Sequence, residues 1–412
     1  MAAARRRGPQ PLEHRILLTA TLCLLAAGAV MVYSASSART LLAGQGDGTG
    51  YLVRYLAYGA VGLVLMHVLA RRSLDSVRRA TPLLLGGSFV LLLAVLVPGV
   101  GVEVNGARRW LGIGPLQFQP SELMKLAIVL YAAGLIARRP ARVRTLRGMA
   151  SPLLVVCGAA ALLVALEPDL GSALVLGGTV AALLVASGVP LRMLGALGGS
   201  AAVVVLLYAL VEPYRRERLV AFLNPWGDAA DSGFQAVQGQ IAIGSGGLLG
   251  VGPGQSIQKV FYLPEAHTDF ILAVIGEELG LAGICGLLFL YGMIGYAGLR
   301  AALAARDPYA KLLAAGLTSL ILCQALLNTY AVLGLAPLTG VPLPFISSGS
   351  SSLIVLLAAM GLLLNVASGG SARLRAVPGP RQRPAGDAGG DRRGRDGRAR
   401  DPGPRRRRRA AG

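Results

Sequence analysis

The chain has 412 residues, 54% of them hydrophobic and 15% charged, and its mean hydropathy is +0.60. This composition excludes a soluble multidomain protein, a coiled coil and a disordered chain, and it favours a protein that crosses a membrane several times. The formal net charge is +20, but half of the excess lies in residues 369–412, which contain 14 arginines and 4 aspartates. The basic character therefore belongs to one tail and predicts no nucleic-acid partner.

Runs of about 20 mainly apolar residues, the length that crosses roughly 30 Å of hydrocarbon, predict an all-α integral membrane protein with ten transmembrane helices. The predicted spans are 16–35, 51–70, 80–98, 120–137, 151–166, 171–188, 191–211, 270–299, 310–330 and 350–368. With the N-terminus inside, 31 of the 40 lysines and arginines fall in the head, the tail and alternate loops of one side. Because cytoplasmic loops carry excess Lys and Arg, both termini are predicted to be cytoplasmic.

This topology divides the chain into a basic cytoplasmic N-terminus (1–15), a ten-helix membrane domain (16–368) and a cytoplasmic tail (369–412). The tail has too few apolar residues to build a core and is predicted to be disordered. Its arginines favour the anionic lipids of the inner leaflet. A second interpretation of the first apolar run is a signal peptide, but the run is longer than the usual apolar region of roughly 7–15 residues.

The segment 212–268, between the seventh and eighth spans, is the long loop of the outer side. It contains Arg215, a glycine-rich stretch and, around 233–243, a pattern that predicts an interfacial helix. Loops of this length in compact proteins usually have a function, so we expect a lid or a groove.

The segment before the tenth span contains three prolines and then a run of serines that begins at Ser347. Proline excludes a regular helix, and irregular backbone at membrane depth is tolerated only where it is buried in protein or lines a wet cavity. This pattern predicts a re-entrant loop that lines a polar cavity. The alternative is a surface loop whose serines cap the last span.

Ionisable residues inside the predicted spans indicate a polar site near the outer face. Glu122 and Lys125 lie three residues apart at the start of the fourth span, and Asp169 lies at the outer junction of the fifth and sixth spans. A charge in a span costs about 2.5–3.5 kcal/mol on insertion scales, so Lys125 is expected to pair with Asp169 or with Glu122. Such a pair would serve either a functional cavity or a structural clamp between spans.

The eighth span begins near Thr268 and Asp269 and continues through Glu277 and Glu278. In a regular helix Glu277 lies about 80° around and ~12 Å along from Asp269, whereas Glu278 falls on the opposite face. The two neighbouring glutamates are therefore expected to have different roles. For Thr268 and Asp269, capping of the helix N-terminus is the structural alternative to a role in chemistry.

Several motifs, in order along the chain, resemble the shape, elongation, division and sporulation family of bacterial membrane proteins. The motifs are Asn105-Gly106-Ala107-Arg108-Arg109-Trp110, Gln119-Pro120-Ser121-Glu122, Glu167-Pro168-Asp169-Leu170-Gly171, Pro264-Glu265-Ala266-His267-Thr268-Asp269-Phe270 and Gly276-Glu277-Glu278-Leu279-Gly280. The first motif and Ala266 are more similar to the division members than to the elongation members. Residues 347–350 depart from the family, because Ser-Ser-Gly-Ser replaces the more usual Ser-Tyr-Gly-Gly and leaves the role of that loop open.

The resemblance implies a peptidoglycan glycosyltransferase of the bacterial cytoplasmic membrane that polymerises lipid II at the outer face during cell division, at the septum. Its implied partners are a class B penicillin-binding transpeptidase, other membrane proteins of the division machinery and membrane lipids. Asp269 matches the aspartate regarded as essential in the family, and Lys125 and Asp169 match residues taken to line its central cavity. The further candidates for substrate binding or cavity lining are Glu122, His267, Thr268, Arg108, Arg109, Arg215 and Ser347.

The implied reaction joins a sugar hydroxyl of one lipid II to the anomeric carbon of another and releases a polyprenyl pyrophosphate. Asp269 is the predicted base for the hydroxyl. The leaving group is already a stable anion, so it needs cations rather than a second acid. The outer cations available to it are Lys125, Lys259, Arg108, Arg109, Arg215, Arg216 and Arg218.

No cofactor is predicted with certainty. The four cysteines lie in apolar runs without a CxxC pair and predict neither disulfides nor a zinc site. A metal, if used, would be a hard ion such as Mg²⁺ or Mn²⁺ held by carboxylates and phosphate.

Three other functions are consistent with the same sequence motifs: a lipid II flippase, a scaffold that recruits the transpeptidase, and a polymerase of elongation rather than division. Transporters often contain repeats with matching broken spans, and this chain has no repeat visible by eye. Its acidic residues outside the tail also cluster on the outer side instead of following a path across the membrane. Both observations favour the polymerase over the flippase.

Overall fold

A computed structural model describes residues 10–42, 44, 47–104, 107–113, 116–140, 145, 148, 150–211, 216, 221–231, 233–260 and 262–369. The predicted cytoplasmic tail from residue 370 onward, residues 1–9 of the head and Arg215 lie outside these ranges.

The described residues form eleven α-helices and three short strands. The helices are α1 Leu12–Leu42, α2 Gly50–Arg71, α3 Leu74–Leu96, α4 Pro120–Arg138, α5 Val155–Leu166, α6 Leu170–Ala186, α7 Leu191–Val211, α8 Phe234–Gly246, α9 Ile271–Ala304, α10 Pro308–Val332 and α11 Ser350–Ala367. The strands are β1 Val102–Val104, β2 Ala107–Ile113 and β3 Leu116–Phe118.

Ten of these helices correspond to the ten predicted spans. Seven helices of the described chain, α1 to α4 and α9 to α11, are long and apolar enough to cross a membrane. Three shorter apolar helices cover residues 152–166, 170–186 and 191–207. The prediction of a helical, multi-pass membrane protein is confirmed, and the remaining helix, α8, lies in the long outer loop.

A small antiparallel sheet of order β1-β2-β3 connects α3 to α4 and was not predicted. Glu103 of β1 is opposite Arg108 of β2, and Leu111 of β2 is opposite Phe118 of β3. Strands of three to seven residues carry too little periodicity to be recognised among irregular loops. The all-α expectation therefore holds for the membrane part but not for this outer connection.

The helix α11 lies at the centre of the bundle, where it packs along α2 and also contacts α10. Around it, α9 packs against α1 and α10, while α10 also packs against α4 and α6. Helices α2 and α3 expose apolar side chains such as Leu83, 81% exposed, as expected of a surface that faces lipid. Buried polar residues are concentrated near the outer ends of α4, α6, α9, α10 and α11, and this concentration locates the candidate site.

The predicted eighth span is not one continuous helix, because α9 is interrupted at Gly280, where φ is 66° and ψ is −163°. The outer loop supplies the hydrogen bonds that the break removes: Val251 N donates to the Glu277 carbonyl at 2.9 Å, and Leu281 N donates to the Gly247 carbonyl at 2.9 Å. A Cβ at Gly280 would lie 2.4 Å from Gly250 N, so only glycine fits this close approach. The loop is thus docked on α9.

Candidate active site at the outer end of the helix bundle

Asp269 lies in the turn that leads into α9. The N-cap residue of α9 is Phe270, which makes no side-chain capping hydrogen bond, so neither Thr268 nor Asp269 occupies the position that the capping alternative requires. The Thr268 hydroxyl lies 3.1 Å from Asp269 Oδ1 and 3.0 Å from Glu265 Oε2. The aspartate is therefore held by its own turn, at the end of the helix rather than inside it.

Asn328 of α10 connects Asp269 to the segment between α10 and α11. Its Nδ2 donates to the Asp269 carbonyl at 2.7 Å and to the Val341 carbonyl at 2.8 Å. Gly340 lies beside the carboxylate, since a Cβ on this glycine would be 3.9 Å from Asp269 Oδ2. Asn328 was not among the predicted site residues, although an amide inside an apolar span is a signal of a buried hydrogen-bonded group.

The segment 341–347 is buried and irregular, as the prediction of a re-entrant loop requires. Phe345 has a φ of 64°, and its carbonyl accepts from the Tyr55 hydroxyl at 2.6 Å. The Ser347 hydroxyl accepts from Leu343 N at 2.8 Å, so Ser347 stabilises a turn of this loop. Its predicted contact with substrate stays a prediction.

The re-entrant loop and α2 both contact His267. Ser348 donates to the His267 carbonyl from its backbone N at 3.1 Å and from its hydroxyl at 2.8 Å. The imidazole ring packs against Tyr51 of α2, with 4.2 Å between the ring centroids. The Arg54 guanidinium lies over the other ring of this pair, 5.9 Å from the Tyr51 centroid. The turn that contains Asp269 is thus held from two sides.

Lys125 pairs with Glu122, which decides between the two partners that the sequence left open. Lys125 Nζ lies 2.9 Å from Glu122 Oε1 and donates to Gln324 Oε1 at 2.9 Å. Both charged side chains are 2% exposed. Gln324, another residue missed in the sequence, donates in turn to the Ser352 hydroxyl and the Pro342 carbonyl, both at 3.0 Å. This cluster joins α4, α10, α11 and the re-entrant loop.

Asp169 lies next to this cluster but has other partners. Its Oδ2 accepts from Gln119 Nε2 at 2.8 Å and from the Ser121 hydroxyl at 3.0 Å, both at the start of α4. Its Oδ1 accepts from Ser172 N at 3.0 Å and caps α6. The Gln119 backbone N donates to the Ser351 hydroxyl at 2.9 Å, which connects α4 to α11. Asp169 therefore clamps α4 to α6 beside the site.

Arg108 and Arg109 are adjacent in β2 and bind different partners. Arg108 pairs with Glu103 at 3.1 Å on the exposed face of the hairpin. Arg109 donates to the Glu167 carbonyl at 3.1 Å and also to the Pro168 carbonyl, so it holds the turn between α5 and α6.

Glu167 is a buried carboxyl group in that turn, outside the helices. It is 0% exposed, and neither of its oxygens has a hydrogen-bond partner among the described residues. Burial raises the pKa of Glu167 to about 8, and the charge of Asp169 acts in the same direction while Arg109 opposes it. Glu167 is therefore mostly protonated near neutral pH, which reduces its repulsion with Asp169.

The outer loop is anchored by both adjacent glutamates of α9, which have different hydrogen-bond partners in that loop. Glu277 accepts from the Ser256 hydroxyl at 2.5 Å and from Ile257 N at 2.9 Å. Glu278 pairs with Lys259 at 2.7 Å and accepts from the Ser34 hydroxyl of α1 at 2.7 Å. The chain between Lys259 and Asp269 is therefore tied to α9 and α1 at one end.

Two cavities border the site. One of about 200 Å³ lies between α2, β3 and the start of α11, with Tyr58, Gln117 and Ser351 in its wall. A larger one of about 310 Å³ lies between the outer loop and the end of α10, with Gln240 and Pro264 in its wall. In the described ranges, no group of three or more His, Cys, Asp or Glu side chains is arranged to hold a metal ion.

The fold and the site describe a multi-pass helical membrane protein. Its candidate site contains a carboxylate at the outer end of an interrupted helix, beside a buried re-entrant loop. The chain belongs to the FtsW, RodA and SpoVE family, described as cell cycle proteins, whose model matches residues 15–371. This match confirms the resemblance seen in the motifs.

The relatives make the likeness specific. A probable peptidoglycan glycosyltransferase FtsW of Geobacter sulfurreducens is 41% identical over 364 residues, which cover 88% of this chain and 96% of the relative. A solved chain of a peptidoglycan synthase complex that coordinates polymerization and crosslinking aligns with a TM-score of 0.70 at 33% identity, over 86% of this chain and 97% of that one. The crystal structure of the rod shape determining protein RodA of Thermus thermophilus aligns with a TM-score of 0.62 at 31% identity, over 86% and 96%.

Proposed function

We propose that this protein is a peptidoglycan glycosyltransferase that polymerises lipid II into glycan strands at the outer face of the cytoplasmic membrane during division. The observation that carries the proposal is the placement of Asp269: its carbonyl is fixed by Asn328 and its turn by Ser348, which contacts the His267 carbonyl. A carboxylate so held suits a base, because general-base catalysis depends on correct placement within hydrogen-bond reach of the attacking hydroxyl.

In the proposed reaction, Asp269 accepts the proton of the sugar hydroxyl of one lipid II as its oxygen attacks the anomeric carbon of the other. The new bond joins that oxygen to the carbon, and the bond to the phosphate oxygen breaks with its electron pair leaving on the polyprenyl pyrophosphate. Attack from the side opposite the leaving group inverts the anomeric centre. A cation must then stabilise the pyrophosphate charge.

The buried cluster around Lys125 has a structural part in this proposal. Lys125 and Glu122 compensate each other's charge, and Asp169 is satisfied by three donors. Because these groups are already paired, we propose that they line the cavity and hold its walls rather than transfer protons.

A divalent cation remains a proposal. Mg²⁺ commonly binds through one or two carboxylates together with substrate phosphates, and Asp269 is the carboxylate that could contribute here. Such an ion would supply positive charge at the pyrophosphate. Polymer yield that is unchanged by a strong chelator would contradict it.

For partners and location, we propose a class B penicillin-binding transpeptidase, other division membrane proteins and a position at the septum. The solved relative in a peptidoglycan synthase complex supports the transpeptidase. The FtsW relatives support division over elongation. Depletion of this protein, with scoring for filaments or for round cells, distinguishes the two roles.

The test is lipid II polymerisation by the purified protein, alone and with its candidate transpeptidase. Asp269→Asn is expected to lower the rate by about 10²–10⁴-fold, the usual contribution of a general base. Asp47→Asn is the matched control, because Asp47 is an exposed aspartate that bonds to Thr49. Thermal stability and binding of the transpeptidase verify that each variant folds.

Three results would contradict the proposal or part of it. Equal polymer from wild type and Asp269→Asn would remove Asp269 from the reaction. An absence of polymer from wild type, together with translocation of lipid II in vesicles, would favour the flippase. If wild type makes no polymer and moves no lipid but binds the transpeptidase, the scaffold alternative is favoured.

A further inference from the structure

We infer that Arg54 of α2 binds the pyrophosphate of the lipid-linked substrate, a role that the sequence pattern did not assign to it. The inference rests on the proposed function, and it names the cation that the reaction requires. It is carried by the contact chain from Arg54 through Tyr51 to His267, two residues before Asp269.

The other outer cations with well-defined contacts already have partners. Lys125 and Lys259 are buried against Glu122 and Glu278 respectively. Moving either lysine toward a substrate would leave a buried carboxylate without its partner, which is unfavourable.

The arginines of β2 are likewise engaged. Arg108 pairs with Glu103 on the hairpin, and Arg109 donates to two backbone carbonyls of the turn between α5 and α6. Arg216 is exposed, and no contact in the described ranges connects it to the turn of Asp269. Arg108 and Arg109, the arginines of the family motif, are therefore engaged with other parts of the protein, whereas the contact of Arg54 is with an aromatic ring.

Arg54 is exposed in the second turn of α2, a helix that begins at Gly50 on the outer side. No carboxylate lies within 4 Å of its guanidinium in the part of the chain that the structure describes. Its contact is with the face of the Tyr51 ring, 5.9 Å from the centroid. The arginine is thus placed by an aromatic ring rather than by a carboxylate.

This contact leaves the donors of Arg54 available. A guanidinium whose contact is the face of an aromatic ring keeps its N–H groups for other acceptors. Two of those groups can bind two phosphate oxygens at once, which gives both strength and orientation. Tyr51 therefore orients Arg54 without competing for the anion.

The position of Arg54 also suits the reaction. The Tyr51 ring packs directly on His267, with 4.2 Å between centroids, so Arg54 and the turn of Asp269 are connected by one aromatic pair. One turn below Arg54, Tyr58 lines the cavity of about 200 Å³ with Gln117 and Ser351. A pyrophosphate held by Arg54 would lie on the outer side of this cavity, near the turn that contains Asp269.

The experiment compares wild type with Arg54→Ala, Arg54→Lys and Arg71→Ala. Arg71 is an exposed arginine in the last turn of the same helix, at the opposite end, and serves as the matched control. Each protein is titrated in detergent with polyprenyl pyrophosphate and with the uncharged polyprenol, and polymerisation is measured with lipid II. Thermal unfolding verifies the fold of every variant.

Arg54→Ala is expected to weaken binding of polyprenyl pyrophosphate by about 10- to 100-fold, the range for a charge-assisted hydrogen bond to an anion. Binding of polyprenol should be unchanged, and polymerisation should fall by a similar factor. Arg54→Lys should recover part of the affinity, since an ammonium keeps the charge but loses bidentate contact. Arg71→Ala should match wild type.

Equal loss of pyrophosphate and polyprenol binding would overturn the inference, because the anion would not be what Arg54 recognises. Displacement of polyprenyl pyrophosphate by an equal amount of phosphatidylglycerol would overturn it as well and would make Arg54 a contact for ordinary lipid headgroups. If wild type binds polyprenyl pyrophosphate through Arg54 but makes no polymer, the proposed function fails while the site stands. If Arg54→Ala polymerises normally, the inference fails while the function stands.

Discussion

Two buried ion pairs differ in what they connect. Lys125 and Glu122 are three residues apart within α4, whereas Lys259 of the outer loop pairs with Glu278 of α9 and with Ser34 of α1. The first pair satisfies charges inside one helix. The second ties the outer loop to two helices, so its loss is expected to act directly on the chain that leads to Asp269. An ion pair therefore matters for the site according to which segments it joins, not according to its burial alone.

The largest effect on stability is expected for Lys259→Met, which breaks the long-range pair. Lys259 also donates to the Gly254 carbonyl at 2.8 Å, and its removal leaves Glu278 buried without its cation. Loss of one partner of a buried pair costs about 3–5 kcal/mol, so thermal unfolding in detergent should occur at markedly lower temperature. Protease cleavage should also appear within 247–260, because the loop loses its anchor.

The control for that prediction is Lys311→Met, an exposed lysine on the opposite side. The double variant Lys259→Met, Glu278→Gln should recover much of the stability, since no uncompensated buried charge remains. Resistance of the loop to protease in Lys259→Met would show that the anchor is not needed.

The next effect concerns pH and the turn of Glu167. Burial raises the pKa of Glu167 to about 8 from an ordinary value of 4.5. Between these values the folded protein binds more protons than the unfolded chain, so the free energy of unfolding should fall as pH rises from about 4.5 to about 8. The loss across this window is on the order of 4 kcal/mol.

Glu167→Gln, which resembles the protonated group, should be less sensitive to pH across this window than wild type. Unfolding temperatures measured at pH 5, 6.5 and 8 test the difference. Parallel curves for the two proteins would mean that Glu167 is not the group responsible.

The smallest effect is expected for Glu122→Gln, which weakens the pair within α4. The amide oxygen still accepts from Lys125, and Lys125 keeps its bond to Gln324 at 2.9 Å. The expected loss is about 1.5–3 kcal/mol, below that of Lys259→Met, because the amide of the same shape keeps a hydrogen bond to Lys125. Protease sensitivity of the outer loop should not change, and a cleavage pattern like that of Lys259→Met would abolish the distinction between the two pairs.

Part of the candidate site was predictable and part was not. Asp269, Lys125 and Asp169 stood out because ionisable groups near apolar spans are costly and therefore noticeable. Asn328 and Gln324, which connect these residues, were missed, because an amide in a span indicates a buried hydrogen bond but not the distant segment that supplies its partner. The predicted roles of Arg108 and Lys259 as cations for the substrate are not supported by their contacts, since a carboxylate occupies each.

The amino-acid sequence by itself determined the ten apolar helices and the order of the motifs and predicted their orientation, because hydrophobic length and loop charge are local properties that add along the chain. Only the tertiary structure decided that α9 breaks at Gly280 and that the outer loop fills the break. It also decided the contact of Ser34 with Glu278, 244 residues apart. The partner of a buried polar group depends on which helices become neighbours, and no local pattern contains that information.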